Sequence, residues 1–306
     1  MESNKNLKHP KISIGLPIYN GEKFLRKRIE NLLSQTFTDF ELIISDNAST
    51  DNSVKICKEF MKKDSRIKLY EQDHNIGQFN NYNFLLENTL GKYFLWVAVD
   101  DLLLPEFLEK NLHILETKKN VVTSISKVKM FGNFTNSTKE DQNDSIVKKN
   151  MKKIKKYTSR MDCFPVTGKY DYKISNFFKN CRHSQVFYGM HRMDAIKKCV
   201  VTEPFLGQDT FYALSLLRYG DIYVIEDVLM EIFDGGDSRA GDMIKISKMT
   251  SNKWYRVISP WVSMTINCKK QIGMKLFVKN ISFFIKLNLS GGISLIITIL
   301  RRLKQS

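Results

Sequence analysis

The first 118 residues alternate between short apolar runs and amphipathic stretches, and a polar loop follows each apolar run. The apolar runs are residues 11–18, 40–44, 67–70 and 93–99. Residues 22–35 carry apolar side chains at the spacing of a helix with one buried face. Strands that alternate with helices form a mostly parallel sheet covered by helices. The sequence therefore predicts an α/β fold with an open, twisted, mostly parallel sheet.

The polar loops fall at the carboxyl ends of the predicted strands. They comprise residues 17–20, 46–51 and 100–101. In open α/β sheets, ligands bind outside this edge because the loops converge there. We therefore expect these three loops to face one pocket, although they lie far apart in sequence.

The composition divides the rest of the chain. Residues 132–160 are rich in Asn, Ser, Thr and then Lys, which predicts a basic polar surface loop. We expect one domain over residues 8–240, with a nucleotide-binding half at 8–118 and an acceptor half at 160–240. Residues 241–306 would form a helical, basic and apolar C-terminal extension. The apolar runs of this extension are shorter than the roughly 20 residues that span a bilayer.

The chain carries 48 Lys and Arg against 32 Asp and Glu, giving a net charge of +16. This balance suits nucleic acid, an anionic membrane surface or a phosphorylated substrate, and it also suits a merely solvated lysine-rich surface. Most aromatic residues sit in apolar runs rather than among Lys and Arg, which argues against nucleic acid. Five scattered cysteines and a polar N-terminus predict reduced thiols and a cytoplasmic protein.

Two adjacent carboxylates, Asp100 and Asp101, end the most apolar run. Their repulsion is costly unless a positive group joins them, and a metal ion is one such group. No His or Cys lies nearby in sequence, so oxygen-preferring Mg²⁺ or Mn²⁺ is favoured over zinc. The alternative is that one of the pair caps a helix at residues 106–116.

Asp46 ends the second apolar run, where it would either cap the next helix or accept a hydrogen bond from a nucleobase N–H. The following segment, 47–51, offers hydroxyls and backbone N–H groups but lacks a glycine-rich phosphate loop. Hydride transfer on a dinucleotide and P-loop chemistry are therefore disfavoured. The loop after the first strand also lacks the basic triphosphate loop of a nucleotidyltransferase.

Four segments together resemble the family 2 glycosyltransferases of the GT-A fold: residues 14–20, 41–51, 75–77 and 91–101. The resemblance implies a UDP-, dTDP- or GDP-linked sugar donor and inversion at the anomeric carbon. By this resemblance, Asp46 contacts the base and Asp101 binds the metal. The remaining residues implied at the nucleotide-sugar pocket are Pro17, Tyr19, Asn20, Asn47, Asn75 and Asp100.

Residues 207–220 are similar to the segment that carries this family's catalytic base, and Asp209 takes the position of the base. The alternative on sequence alone is that Asp209 caps a helix, and the resemblance favours the base. Residues 188–192 resemble the segment that borders the acceptor, which makes His191 and Arg192 weak candidates for contacting the acceptor or the diphosphate. Asp234 occupies the place of a late metal-binding histidine.

The sequence departs from the family pattern at Ala98, Gln208 and Asp234. From the resemblance we nevertheless predict an inverting hexosyl-type glycosyltransferase for a glycan or lipid-linked acceptor, as in polysaccharide biosynthesis. Two alternatives remain. These are a degenerate homologue that only binds its nucleotide and a basic nucleic-acid-binding protein. Residues 274–304 mix apolar segments with Lys and Arg, which predicts peripheral attachment at the inner face of a membrane or, alternatively, simple coverage of the core.

Overall fold

In the computed structural model of the chain, the residues described are 9–132, 163–180, 185–233, 235 and 261–303. The predicted basic loop at 132–160 lies outside them apart from its first residue, and so does Asp234. The domain boundaries predicted at residues 240 and 241 fall in an undescribed stretch and stay predictions.

The N-terminal half is a run of strand and helix units. Its strands are β1 (Ile12–Ile18), β2 (Phe40–Asp46), β3 (Ile67–Glu71) and β4 (Tyr93–Trp96). Its helices are α1 (Glu22–Leu33), α2 (Ser53–Met61) and α3 (Gln78–Glu87). β1 pairs in parallel with β2 on one side and β4 on the other, and β3 extends the sheet beyond β2. The central strands β1, β2 and β4 are buried along almost their whole length because helices cover both faces of a parallel sheet.

The second half continues the same sheet with mixed pairing. Its elements are β5 (Leu102–Leu103), α4 (Phe107–Thr117), β6 (Val121–Phe131), α5 (Tyr170–Asn180), β7 (Met190–Arg192), α6 (Met193–Ile196), α7 (Gln208–Leu216), β8 (Asp221–Phe233), α8 (Val262–Lys279) and α9 (Ile281–Leu303). The described residues give an eight-stranded sheet in the order β3-β2-β1-β4-β7-β6-β8-β5. β7 runs antiparallel between β4 and β6, whereas β6 and β8 are parallel. The predicted α/β fold, with its open sheet and helical C-terminal part, is confirmed.

The apolar pattern of the sequence predicts a strand at residues 185–189 and two short strands at residues 222–225 and 228–233, and the structure differs from both predictions. Residues 185–189 are a 3₁₀ turn (Gln185–Tyr188) and Gly189 rather than a strand, and the strand starts at Met190. Gly189 lies so close to β6 that an added Cβ would be 2.9 Å from the Ser124 carbonyl oxygen. The two short strands predicted at 222–225 and 228–233 are one strand, β8. Its register against β6 shifts around Glu226 and Asp227, so the gap between the two apolar runs is a bulge.

A buried carboxylate ties three strands of the N-terminal half together. Glu41 on β2 accepts hydrogen bonds from the Ser13 hydroxyl (2.6 Å), the Leu90 N–H (2.9 Å) and the Lys68 ammonium (2.8 Å). Burial raises the pKa of Glu41, but these three hydrogen bonds outweigh it and the net pKa lies below 4.5. The folded state therefore holds Glu41 ionised.

The C-terminal helices complete a second hydrophobic core beneath the sheet. Met264 and Leu276 of α8 and Phe284 of α9 are almost completely buried against α5 and α7. Part of the tail therefore covers the core, as one of the two interpretations of its sequence predicted. Within the described residues, no helix combines the length and apolarity needed to cross a membrane.

Candidate active site

The loops after β1 and β2 are joined through Asn20. Its N–H donates to the Ser49 hydroxyl at 2.8 Å, and its side-chain Oδ1 accepts the Thr50 N–H at 2.8 Å. Asn20 has φ +50°, a left-handed conformation that Asn tolerates better than most residues because its short polar side chain bonds locally. Asn20 therefore both adopts the left-handed conformation of the turn and links the two loops by hydrogen bonds.

The loops after β2 and β3 are joined through Asn47. Its amide donates to Asn75 Oδ1 at 3.0 Å, and its Oδ1 accepts the Ile76 N–H at 2.8 Å. The polar loops that the sequence placed at one sheet edge are thus physically linked there. The hydrogen bonds of Asn20, Asn47 and Asn75 fix the conformation of the loops at this edge.

Asp46 is the last residue of β2 and is 2% exposed. One carboxylate oxygen, Oδ2, accepts the Ser49 N–H at 2.9 Å. The other, Oδ1, is buried without a hydrogen-bond partner in the part of the chain that the structure describes. Asp46 does not cap α2, which begins at Ser53 after Asn52. A buried acceptor without a partner is costly, so this oxygen is suited to a ligand that brings its own donor.

Pro17 lies near the end of β1, the strand that neighbours Asp46, and Tyr19 follows that strand. Pro17 pairs in register with Ser45, and Ile18 pairs with Asp46. Tyr19 follows directly and its side chain is 52% exposed, so its ring is accessible to a ligand at this edge.

Asp100 and Asp101 follow β4 at the same edge of the sheet. Asp101 is 4% exposed, and its Oδ1 accepts the Phe233 N–H at 3.0 Å, which ties the end of β8 to the acidic pair. Helix α4 begins at Phe107 with Glu106 at its cap position. Neither aspartate is therefore a cap for α4, and the alternative weighed from the sequence is wrong.

A buried arginine lies close to the acidic pair, and the sequence analysis missed it. Arg28 of α1 is 0% exposed, and its Nη1 donates to Asn31 Oδ1 at 3.0 Å. Asn31 also pairs with both the N–H and the carbonyl of Leu103, just beyond the pair. Burial lowers the pKa of Arg28 to about 10, against the opposing effect of the Asp101 and Asp100 charges.

The helical spacing of α1 indicates that Arg28 lies on the buried face of the helix. It lies three residues after Leu25 and four before Leu32, and both of these leucines are fully buried. The position is therefore on the apolar face of α1, whereas residue type alone assigns an arginine to the polar face. A cation on a buried helical face indicates a nearby anion, which here is the acidic pair.

Asp209 is the second residue of α7, and Gly207 holds the cap position in a left-handed conformation (φ +85°). Asp209 is therefore not the cap. It lies near the acidic pair, since the charges of both Asp101 and Asp209 act on Tyr188. Burial chiefly, then Tyr82 and these two carboxylates, raise the pKa of Tyr188 well above 10. The structure thus brings Asp101 and Asp209 around one tyrosine hydroxyl, although they are far apart in sequence.

His191 and Arg192, the weak candidates for acceptor or diphosphate contact, are placed elsewhere. His191 is 0% exposed, both ring nitrogens are occupied by Thr123 and Phe187, and burial lowers the pKa of His191 to about 4. Arg192 pairs with Tyr93, the first residue of β4, and so lies at the end of that strand opposite the acidic pair. The resembling segment does reach the site, but its contributing residue is Tyr188.

No group of three or more His, Cys, Asp or Glu side chains gathers into a metal site among the residues that the structure describes. The third predicted ligand, Asp234, lies outside those residues. Its neighbour Phe233 is the residue whose N–H bonds Asp101. The carboxylates of the acidic pair supply the oxygen donors that Mg²⁺ and Mn²⁺ prefer.

Solved structures share this fold. S. aureus TarS in complex with UDP-GlcNAc superposes with a TM-score of 0.64 at 16% identity, covering 93% of this chain and 75% of TarS. Mannosyltransferase PcManGT from Pyrobaculum calidifontis, in complex with GDP-Man and Mn²⁺, gives a TM-score of 0.59 at 11% identity, covering 98% of this chain and 77% of PcManGT. At these identities the likeness establishes the fold, which is of the GT-A type.

Sequence relatives match part of the chain. An uncharacterized glycosyltransferase of Haemophilus influenzae is 36% identical over 37% of this chain and 46% of its own length. Glycosyltransferase GlyG of Streptococcus pneumoniae is 32% identical over 43% of this chain and 42% of its own length. Each match therefore spans less than half of the relative. The profile of glycosyl transferase family 2 matches residues 13–177, more than half of the chain. This chain belongs to glycosyl transferase family 2.

Proposed function

We propose that this glycosyltransferase moves a hexosyl group from a nucleoside-diphosphate sugar to a hydroxyl of a glycan or lipid-linked acceptor, with inversion at the anomeric carbon. The observation that carries the proposal is the buried Asp46 oxygen without a partner at the same sheet edge as Asp100 and Asp101. The solved relatives named above bind UDP-GlcNAc or GDP-Man, which supports a donor of this class.

The donor's nucleoside would occupy the edge built by the three linked loops. Asp46 Oδ1 would accept an N–H of the base, which supplies the hydrogen bond that this buried oxygen lacks. Tyr19 would lie against the nucleoside with its exposed ring, and Pro17 would border the same pocket. The base is that of a UDP-, dTDP- or GDP-linked sugar.

The diphosphate would lie at the acidic pair, with Asp100 towards the ribose. A divalent cation, Mg²⁺ or Mn²⁺, fits the oxygen donors of Asp101 and of Asp234, and when bound it would offset the negative charge of the leaving diphosphate. Arg28 contributes a positive charge near the same carboxylates, which offsets part of their mutual repulsion.

Asp209 is the proposed general base. It would take the proton of the acceptor hydroxyl while that oxygen forms a bond to the anomeric carbon and the bond from this carbon to the diphosphate breaks. A single in-line displacement of this kind inverts the configuration and needs no covalent enzyme intermediate. Gln208, which replaces the family's usual Glu, is completely buried, where a neutral amide is less costly than a carboxylate.

The donor site is tested by the thermal stability of the protein with a panel of nucleotide sugars, with and without Mn²⁺. A ligand that binds only the folded state raises the melting temperature. We expect one base to stabilise the parent, and Asp46→Ala and Asp101→Asn to abolish most of that increase. Asp227→Ala, which removes an exposed carboxylate of β8, is the matched control. Unchanged donor binding in both site variants would contradict the pocket assignment.

The base is tested with Asp209→Asn, which keeps the size of the side chain but cannot accept the proton. We expect turnover to fall by roughly 10²–10⁴-fold while donor binding is retained. The configuration of the product, measured by NMR, reports inversion. If the parent binds a donor yet transfers nothing to any acceptor, the protein is a degenerate homologue, and full turnover in Asp209→Asn removes this residue from the mechanism.

A further inference from the structure

Helix α9 exposes a row of aliphatic side chains, the α9 stripe. Its members are each 40–63% exposed: Ile281, Ile285, Leu289, Ile293, Ile296 and Ile299. At the rotation of an α-helix they fall within an arc of about 120° and extend over roughly 27 Å. A different face of α9 packs against the protein, where Phe284 and Leu295 are buried. The helix therefore has one apolar face in the core and a second one in solvent.

Helix α8 prolongs this surface. Met274 and Val278 near its end are each 58% exposed, although both are large apolar side chains. The turn at Asn280 joins them to Ile281, so the exposed apolar residues are continuous along the chain. Isolated apolar residues are common on protein surfaces, but a contiguous patch of this size marks an interaction surface.

Helices α8 and α9 carry charge of one sign only. Residues 261–303 contain seven basic residues and no Asp or Glu. Five of the basic residues are exposed lysines: Lys269, Lys270, Lys275, Lys279 and Lys286. Lys275, Lys279 and Lys286 stand among the exposed apolar positions in sequence. The surface thus combines apolar side chains with positive charge and has no acidic residue of its own.

We propose that the α9 stripe, with Met274 and Val278, docks on the surface of a membrane that contains anionic lipid. A helix lying in the interface gains from burying its apolar face among the acyl chains and from attraction of its lysines to anionic headgroups. The stripe occupies one face of α9, whereas another face packs in the protein core, so the proposed contact is peripheral. Charge decides between lipid and a second copy of the chain. Two copies joined through this surface would bring their basic residues together without acidic partners.

This proposal does not depend on the proposed catalytic function, because the stripe shares no residue with the site. The Asp209→Asn variant should bind vesicles as the parent does. Failure of the catalytic proposal would therefore leave the membrane proposal standing, and the reverse also holds.

The test is cosedimentation of the full chain with vesicles of phosphatidylglycerol and phosphatidylcholine in equal parts, compared with vesicles of phosphatidylcholine alone. We expect binding to the anionic vesicles that weakens as salt increases. The triple variant Ile285→Ser, Leu289→Ser, Ile293→Ser should bind at least about ten-fold more weakly. Replacing Lys275, Lys279 and Lys286 by Gln should weaken binding by roughly five-fold per lysine.

A matched control removes three exposed apolar side chains elsewhere: Met61→Ser, Leu90→Ser and Tyr172→Ser. It should bind as the parent does, and an unchanged melting temperature in every variant shows that folding is intact. Recovery of the parent in the supernatant with anionic vesicles at low salt would overturn the proposal. Equal binding of the stripe variant would do the same. So would a parent dimer that the stripe variant converts to a monomer while neither protein binds vesicles.

Discussion

Replacing Arg28 by Met separates the energetic cost of this buried charge from its use at the site. In the folded protein, burial lowers the pKa of Arg28 from 12.5 to about 10, and this value already includes the attraction to Asp101 and Asp100. A lowered pKa of a base means that the folded state disfavours the charged form. This cost is fully present below pH 10 and disappears only as the pH rises towards 12.5.

The pKa difference corresponds to roughly 3 kcal/mol of lost folding free energy at neutral pH. Met is apolar and similar in length, so Arg28→Met removes this cost and leaves a small void. The one hydrogen bond lost is to Asn31 Oδ1, which keeps the Leu103 N–H as a donor. We therefore expect the free energy of unfolding to rise by roughly 1–3 kcal/mol.

The same substitution should impair the site. Without the cation, the negative charge of the two carboxylates repels the donor's diphosphate more strongly. We therefore expect donor affinity to fall by roughly ten-fold, which is the effect of one partly screened charge. A protein that becomes more stable while it binds its donor less tightly is the expected combination. It would show that the arginine is kept for function at a cost to stability.

Urea denaturation at pH 7.5 and donor titration measure the two effects. The matched control is Arg26→Met on the same helix, where the guanidinium is exposed and pairs with Glu59. The control should leave donor affinity unchanged. The reasoning is refuted if Arg28→Met lowers the free energy of unfolding by more than about 1 kcal/mol and leaves donor affinity as it was. Arg28 would then be structural support only.

Two further substitutions test how the fold holds the site. Gly207→Ala should lower both the melting temperature and turnover, since the left-handed conformation alone costs roughly 1–2 kcal/mol and the added Cβ would lie 2.8 Å from the Trp261 ring. Gly292→Ala, where nothing lies within 4 Å and the residue is helical, should leave turnover unchanged and should not lower the melting temperature. Glu41→Gln should remove stability that the parent shows above pH 4.5 and loses as the pH falls through the lowered pKa of Glu41. Identical pH dependence of urea denaturation in parent and variant would contradict this assignment.

The parts of the fold set by local periodicity were predictable from the sequence. The alternation of strands and helices predicted β1 to β4 with their intervening helices, and strand ends placed Asp46, Asp100 and Asp101 at one edge. The link of Asn47 to Asn75 follows the same logic, since both stand in loops at that edge.

Features that depend on contacts between distant segments were not predictable. The spacing in α1 places Arg28 on the apolar face of the helix, but only the packing of α1 shows that its side chain lies beside the acidic pair. Tyr188 lies in a stretch that the apolar pattern assigned to a strand, and the 3₁₀ turn that positions it depends on the close approach of Gly189 to β6. Periodicity describes one element at a time, and these positions are fixed by pairs of elements.

The packing of α8 connects the proposed base with the proposed membrane surface. Gly207 is the cap residue of α7 and lies two residues before Asp209. A Cβ added to Gly207 would be 2.5 Å from Met264 Sδ of α8. The C-terminal part of α8 carries the exposed Met274. Helix α9 returns to the same core, since a Cβ added at Gly291 would clash with the Trp261 ring. The start of the base-bearing helix is therefore held directly by the helix pair that would lie on the membrane. If the helix pair lies on a membrane as proposed, this connection would set the height of Asp209 above the lipid surface, which would suit a lipid-linked acceptor.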